Sequence, residues 1–386
     1  MKKRKKRLKK KNQERVPLLS FFTGGGFLDM GFEQAGFEII WTNEVNPAFA
    51  GLYEYGMTEW RKKSQKNEKE AKISARRSIE SLPAHKITLQ AFPDGKPKFF
   101  GVIGGPPCPD FSVGGKNEGH HGINGRLTKV YFNRICKLKP AFFVFENVPG
   151  LYNTSMHREF LKKREKKLEQ AGYRLDLKVL NSLEMGVPQD RERLIMIGME
   201  KSLAEKCAGK ELDPGERNWF SWPSIPEYKG AKTKYKWPGM IKFGGKSRKP
   251  YGIPKELMVD TVLNGRSYPE RQPNGKDTFK AKSRRFSYIN EGDTKRKSFK
   301  RLHRYRFSPT ACYGHNEVHL HPWEKRRLSV REAMRIQGIP DEYSLPEDKP
   351  LSWKFTVVSN GVPVPLAYQV AKSLNKFIHP IISRKN

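Results

Sequence analysis

The strongest restriction on how this chain can fold is a short glycine run, Phe22-Thr23-Gly24-Gly25-Gly26, set between an apolar stretch and an amphipathic one. Leu18–Phe22 has the length and composition of a buried strand, Phe27–Ala35 has helical spacing, and Glu38–Thr42 returns as a second strand. Strand, tight turn, helix and strand make a βαβ unit, which commits the chain to a parallel sheet covered by helices. Glycines at such a turn let the backbone bend sharply and let a ligand come close. A plain structural turn would account for them equally well. Glu44, 20 residues beyond Gly24 and near the end of the second strand, tips the balance. An acidic side chain at that spacing accepts hydrogen bonds from ribose hydroxyls, so turn and acid together favour a nucleoside cofactor.

The rhythm continues with predicted strands at Phe99–Ile103, Ala141–Phe145, Arg174–Leu180 and Arg193–Gly198, and predicted helices at Leu127–Leu138 and His157–Ala171. Open sheets of this kind bind ligands at the carboxyl ends of their strands. Two candidate chemical groups fall there. Gly104-Gly105-Pro106-Pro107-Cys108-Pro109 would hold Cys108 on a stiff loop, where the alternative is an incidental thiol. Phe145-Glu146-Asn147-Val148 puts a carboxyl group directly after an apolar strand, where packing has no need of one and the alternative is a surface loop residue. Gln189-Asp190-Arg191-Glu192-Arg193 alternates so that Gln189, Arg191 and Arg193 share a face, either an exposed strand edge or a fork for anionic or carbonyl oxygens.

Between about Glu200 and Trp323 the rhythm gives way to Gly, Pro, Lys and aromatic residues. Residues 229–306 hold 23 Lys or Arg against 6 Asp or Glu, in a chain of net charge +35. A basic, aromatic, loop-rich insert suits a polyanion, with nucleic acid ahead of an anionic membrane because no large apolar helical face accompanies the charge. The four cysteines, at 108, 136, 207 and 312, contain no CxxC pair, so no disulfide framework is signalled. Cys312, His315, His319 and His321 are close enough to suggest a metal, but Val318 and Leu320 alternate with the last two histidines, and a half-exposed strand explains that pattern without one. Residues 2–11 carry nine basic side chains and one Leu, a self-repelling arm. No apolar run is long enough to span a bilayer, so the expectation is a soluble intracellular protein, cytoplasmic or nucleoid-associated, or nuclear in a eukaryote. After the insert, Ser329–Gln337 reads as a helix with a capping box formed by Ser329 and Glu332. Val364–Phe377 reads as a last helix entered through the turn-rich Ser359–Pro363.

These motifs, in this order, resemble the cytosine-5 DNA methyltransferases over nearly the whole chain: Phe22–Gly26, Glu44, Pro107-Cys108, Glu146-Asn147-Val148, Gln189-x-Arg191-x-Arg193, Arg327–Gln337 and Asn360-Gly361-Val362-Pro363. The resemblance implies an α/β, Rossmann-like methyltransferase fold with a mostly parallel sheet and a smaller loop-rich target-recognition domain. Residues 16–199 and 327–386 would form the catalytic part, 200–326 the target-recognition part, and 1–15 a disordered basic tail. It also implies S-adenosylmethionine as methyl donor, no metal, and a monomer acting on double-stranded DNA. Whether a cognate restriction endonuclease accompanies it stays open. Carried over by position, Cys108 would be the nucleophile, Glu146 the acid, and Arg191 and Arg193 their companions. Phe22, Thr23, Gly24, Gly26, Glu44, Ser78, Ile79, Pro106 and Asn360 would line the donor site. Four positions depart from the family's habit: Phe27 stands for a further Gly, Ser78 for an Asp, Pro109 for a Gln and Ser359 for a Gly. Methylation of RNA by the same chemistry, and a catalytically silent DNA-binding homologue, are the rival readings.

Overall fold

The computed structural model describes residues 15–107, 123–265, 267–296, 298–311, 313 and 318–382. Cys108, Pro109, Cys312, His315 and the basic arm therefore lie outside the described residues. The first part of the chain runs β1 (Val16–Phe21), α1 (Phe27–Gln34), β2 (Phe37–Asn43), α2 (Pro47–Gln65), α3 (Ala84–Ala91), β3 (Gly101–Gly104), α4 (Ile123–Leu138), β4 (Phe142–Asn147), α5 (Gly150–Asn153), α6 (Ser155–Gln170), β5 (Tyr173–Asn181), β6 (Glu192–Glu200) and α7 (Lys201–Ala208). Six strands form one sheet in the order β2-β1-β3-β4-β6-β5. β1 pairs in parallel with β2 and β3, and β3 with β4, whereas β6 runs antiparallel to both of its neighbours. The expected mostly parallel, Rossmann-like sheet is present, with one reversed strand inserted near its edge.

Alternation along the strands divides the core into two layers. Leu18, Ile103, Phe142, Val144, Ile195 and Ile197 face one side, where Phe32 of α1 and Leu203 of α7 pack. Leu19, Phe21, Val102, Phe143, Phe145, Leu194 and Met196 face the other, where Tyr131, Phe132 and Ile135 of α4 and Leu161 and Leu168 of α6 cover them. Strands buried on both faces need apolar residues at every position, which is why their sequences read as unbroken hydrophobic runs. The first layer also takes in Leu212, Trp219 and Phe220, so this core extends past the change of sequence texture at Glu200.

Within the insert the described elements are short: α8 (Ala231–Lys234), α9 (Val259–Leu263) and a parallel pair, β7 (Lys300–Arg301) and β8 (His319–Leu320). The half-exposed strand expected around His319 is instead buried throughout, with Val318, His319, Leu320 and His321 all enclosed. His321 Nδ1 accepts from the Glu324 amide at 3.2 Å, and the Tyr313 hydroxyl is 3.5 Å from His319 Nδ1. Among the described residues no group of three or more His, Cys, Asp or Glu side chains is arranged to hold a metal. Also among them, no helix is long and apolar enough to cross a membrane.

The chain then returns through α10 (Val330–Ile336), α11 (Leu351–Asn360) and α12 (Val364–Ile382). The capping box forms as expected, with Ser329 Oγ accepting from the Glu332 amide and the Glu332 carboxylate accepting from the Ser329 amide. The turn-rich stretch before α12 is a helix as far as Asn360, because Phe355, Val357 and Val358 must be buried beside Phe27 and Met30 of α1.

Candidate active site

Strand register sets the site. Phe21 is level with Asn43 of β2 and with Gly104 of β3, and Gly104 is level with Phe145 of β4. The next residues, Glu44, Phe22 and Gly105, therefore leave the sheet side by side at its carboxyl edge, level with Glu146 near the end of β4. Antiparallel pairing of Glu146 with Ile195 brings Arg193 in at the same edge. The chain goes from β1 to one side (β2) and later to the other (β3). That reversal makes the crevice between their ends the topological switch point where such sheets bind ligands.

The glycine turn is held open by its neighbours. The Thr23 amide donates to Asn43 O at 3.1 Å, the Gly24 amide to Glu44 Oε2 at 2.9 Å, and the Gly26 amide to Thr23 O at 2.9 Å. Glu44 Oε1 also accepts from the Asn46 amide at 2.8 Å. Burial raises the Glu44 carboxyl above its ordinary pKa while these amides pull it back. Phe22 and Gly24 both take left-handed backbone angles, φ 58° and 54°. Such a conformation in a bulky residue like Phe22 costs of order 1–3 kcal/mol and clusters at functional sites. Among the described residues, nothing lies within 4 Å of where a Cβ would stand on Gly24. The Thr23 hydroxyl is buried without a hydrogen-bond partner. An unpartnered hydroxyl, a backbone bare of side chain and a buried carboxylate fit a nucleoside with a polar tail. Asn43, which sequence reasoning passed over, donates to Ala75 O at 2.8 Å and Arg77 O at 2.7 Å and so ties the segment leading to Ser78 and Ile79 to the end of β2. Ser78 caps a turn by accepting from the Glu80 amide, and the Ile79 side chain belongs to the core.

Glu146 meets Arg193 through a 2.8 Å pair, Oε1 to Nε, with both side chains nearly enclosed at 12% and 11% exposure. Burial pushes the Glu146 carboxyl above its ordinary pKa against the opposing pull of Arg193 and then Arg191. Gly105 passes so close that a Cβ there would lie 2.5 Å from Glu146 Oε2. Asn147 Nδ2 reaches Pro106 O at 3.4 Å. The base of the Pro-Pro-Cys loop and the Phe-Glu-Asn-Val strand end are thus one assembly, with exposed Pro107 the last described residue before Cys108.

The Gln-x-Arg-x-Arg run is not an exposed strand edge. β6 starts at Glu192, and Gln189 and Arg191 are buried ahead of it. Arg191 donates to Ala311 O at 3.2 Å, Ser359 O at 2.6 Å and Gly361 O at 3.0 Å. It ties the insert to both sides of Asn360, which is itself exposed, while its charge also bears on Glu146. Both polar atoms of the buried Gln189 amide have no hydrogen-bond partner. Two departures from the family pattern are absorbed by packing. Phe27 lies against the bare α-carbons of Gly25 and Gly361. The Ser359 hydroxyl donates to Tyr313 O at 3.0 Å and Thr356 O at 3.1 Å.

Comparison with known proteins agrees with this geometry. The chain is 40% identical over 377 residues to the Type II methyltransferase M.NmeDI of Neisseria meningitidis serogroup C, covering 96% of this chain and 86% of that protein. It is 30% identical to the Type II methyltransferase M.FnuDI of Fusobacterium nucleatum, covering 94% of each. Among solved structures, a putative DNA modification methyltransferase encoded within an E. coli prophage superposes with a TM-score of 0.60 at 20% identity, covering 94% of this chain and 99% of that one. The family model for C-5 cytosine-specific DNA methylases matches residues 16–376, and the chain belongs to that family.

Proposed function

We propose that this DNA cytosine-5-methyltransferase works by covalent catalysis through Cys108 on a cytosine flipped out of duplex DNA. The observation that carries the reading is the contact of Gly105, three residues before Cys108, with the carboxylate of Glu146. A nucleophile and an acid delivered to one spot from two strand ends suit a ring attacked at one atom and stabilised at another. Cys108 thiolate would add to carbon 6 of cytosine, and the ring's electrons would then make carbon 5 nucleophilic. Glu146, its pKa raised by burial, would hold a proton toward ring nitrogen 3, where charge develops. Arg193 would orient that carboxyl and face the exocyclic oxygen. After methyl transfer, loss of the carbon-5 proton expels the thiolate and restores the aromatic ring. S-adenosylmethionine, when bound, supplies an electrophilic methyl group. Phe22, Thr23, Gly24 and Gly26 would hold its amino-acid end, Glu44 its ribose, and Ser78 and Ile79 its base, with Pro106 and Asn360 closing the site. Flipping the base costs a few kcal/mol, which a basic insert gripping the phosphates can offset. Because the relatives are named Type II methyltransferases, we read this chain as the sequence-specific modifying partner of a restriction system.

Duplexes with 5-fluorocytosine at the methylated position test the mechanism, since that substituent cannot leave as a proton. Wild-type protein with S-adenosylmethionine should form an adduct that survives denaturation, and Cys108→Ser should bind DNA and form none. Adduct formation by Cys108→Ser would exclude Cys108 as the nucleophile. Methyl incorporation into transfer RNA and not into duplex DNA would overturn the substrate assignment.

A further inference from the structure

The glycine turn is gripped from behind by a residue far away in sequence. Tyr343, between α10 and α11, is fully buried, and its hydroxyl donates to Gly25 O at 2.9 Å. Its ring stands edge-on to Phe27 at 5.2 Å between centroids. It also lies flat against α2 where Gly56 has no side chain, since a Cβ on Gly56 would come within 2.3 Å of Tyr343 Cζ. Burial drives the phenol's pKa upward, so the hydroxyl stays a donor.

The backbone around Tyr343 is fixed by the insert. Arg331, completely buried on α10, donates to Tyr343 O at 2.7 Å, to Pro340 O at 3.2 Å and to Pro273 O at 2.9 Å. Asn274 accepts from the Leu345 amide and donates to Leu345 O, both at 2.8 Å. A continuous set of hydrogen bonds therefore runs from Pro273 through Arg331 to Tyr343 and on to Gly25, and Asn274 holds Leu345 two residues beyond Tyr343. The same turn is also held by Glu44 on Gly24. The two grips leave the turn little freedom except in its observed left-handed form.

We propose that Tyr343 is a positioning residue for the methyl-donor site, holding the glycine turn in its binding form from a frame shared with the insert. The inference rests on the reading of that turn as the donor site. Without the hydroxyl, Gly25 O becomes a buried acceptor with no partner, and the turn relaxes toward other conformations. Donor affinity falls in proportion to the fraction of molecules still in the binding form.

Calorimetric titration of wild-type protein, Tyr343→Phe and Gly56→Ala with S-adenosylhomocysteine, in the absence of DNA, tests this. Tyr343→Phe keeps the ring and should weaken binding roughly tenfold, with a matching rise in KM for S-adenosylmethionine and no change in KM for DNA. Gly56→Ala keeps the hydroxyl but pushes it off Gly25, and should shift binding in the same direction. A merely structural Tyr343 would lower the melting temperature and leave the dissociation constant of the folded protein untouched, which overturns the proposal. Wild-type protein that binds neither S-adenosylhomocysteine nor S-adenosylmethionine overturns the donor-site reading and this inference together. Wild-type binding matched by both variants overturns this inference alone.

Discussion

Gly105→Ala isolates the contact on which the catalytic reading depends. The backbone of Gly105 is not in the left-handed region, so alanine brings no conformational strain of its own. Its Cβ would lie 2.5 Å from Glu146 Oε2, about 0.9 Å inside the 3.4 Å at which ordinary contact begins. The carboxylate cannot retreat freely, because Oε1 is tethered to Arg193 at 2.8 Å and the pair is nearly enclosed. Either the carboxyl group moves by most of an ångström or the backbone at Gly105 does, and on the proposed mechanism either shift displaces Glu146 relative to the segment that leads to Cys108. Misplacement on that scale costs on the order of 100-fold in rate. The assay is single-turnover methyl transfer from labelled S-adenosylmethionine to a duplex containing the target site, with DNA and donor affinities measured separately. The expected result is a rate lowered by about 100-fold with both affinities within about threefold of wild type. A double-mutant cycle sharpens it: once Glu146 is glutamine, the alanine has no carboxylate left to displace and should add less than its single-mutant loss. A rate for Gly105→Ala within threefold of wild type, or full additivity with Glu146→Gln, would refute the argument.

Two other outcomes follow from buried carboxyl groups. Glu146→Gln should lower the single-turnover rate by about 100- to 1,000-fold with little change in DNA affinity, since the group acts mainly as charge develops on the ring. A variant that binds DNA poorly but transfers methyl at the normal rate would contradict that role. Asp29 in α1 is fully buried, accepts from Ser20 Oγ at 2.6 Å and Tyr53 OH at 3.0 Å, and lies near the Glu33–Arg61 pair. Burial raises its carboxyl from the ordinary 3.8 to about 7. A pKa raised on folding gives stability that is complete below the unfolded value and lost as pH climbs through the folded one. Asp29 should therefore cost the fold about 3 kcal/mol between pH 4 and pH 7, and Asp29→Asn should remove that slope from denaturant-melt stability. Identical pH profiles for the two proteins would show that Asp29 is ionised throughout.

Strand ends carried most of what could be read from sequence. Phe22–Gly26, Gly104–Pro107 and Glu146 each follow a run of apolar residues, and runs buried on both faces mark where a parallel strand stops. Hydropathy carries no direction, however, so the reversal of β6 between β4 and β5 was invisible. The Asn-Gly-Val-Pro signal correctly placed a break at Gly361 but concealed the helix before it, whose existence depends on burying Phe355, Val357 and Val358. Arg191 shares a face with Arg193 by spacing, and the charge of both bears on Glu146. Three of the hydrogen-bond partners of Arg191, on Ala311, Ser359 and Gly361, are 120 to 170 residues away and are main-chain carbonyls, which no side-chain pattern records. Tyr343 was missed for the same reason, being separated from Gly25 by 318 residues.

The basic side chains of the insert fall into two groups, buried and exposed. Arg301 is wholly buried and donates to the carbonyls of Phe286, Ile289, His321 and Glu324, with the Phe243 ring 3.9 Å from its guanidinium carbon. Arg304 forks onto the buried Glu291 carboxylate, and Arg326 pairs with Glu324 and Glu332. The insert's described strands are only two residues each, too few to satisfy many carbonyls through a sheet ladder. Five-donor guanidinium groups take over that task, so part of the positive charge is internal scaffolding. Lys242, Lys246, Arg248, Lys249, Arg284 and Arg285 are exposed, and they belong to the set that can reach phosphates. Each phosphate contact made by such a side chain steepens the salt dependence of DNA binding by about 0.9 in log–log slope, whereas a buried Arg301 contributes none. Replacing these surface lysines and arginines should therefore flatten the salt dependence of DNA binding, whereas replacing Arg301 should lower stability instead.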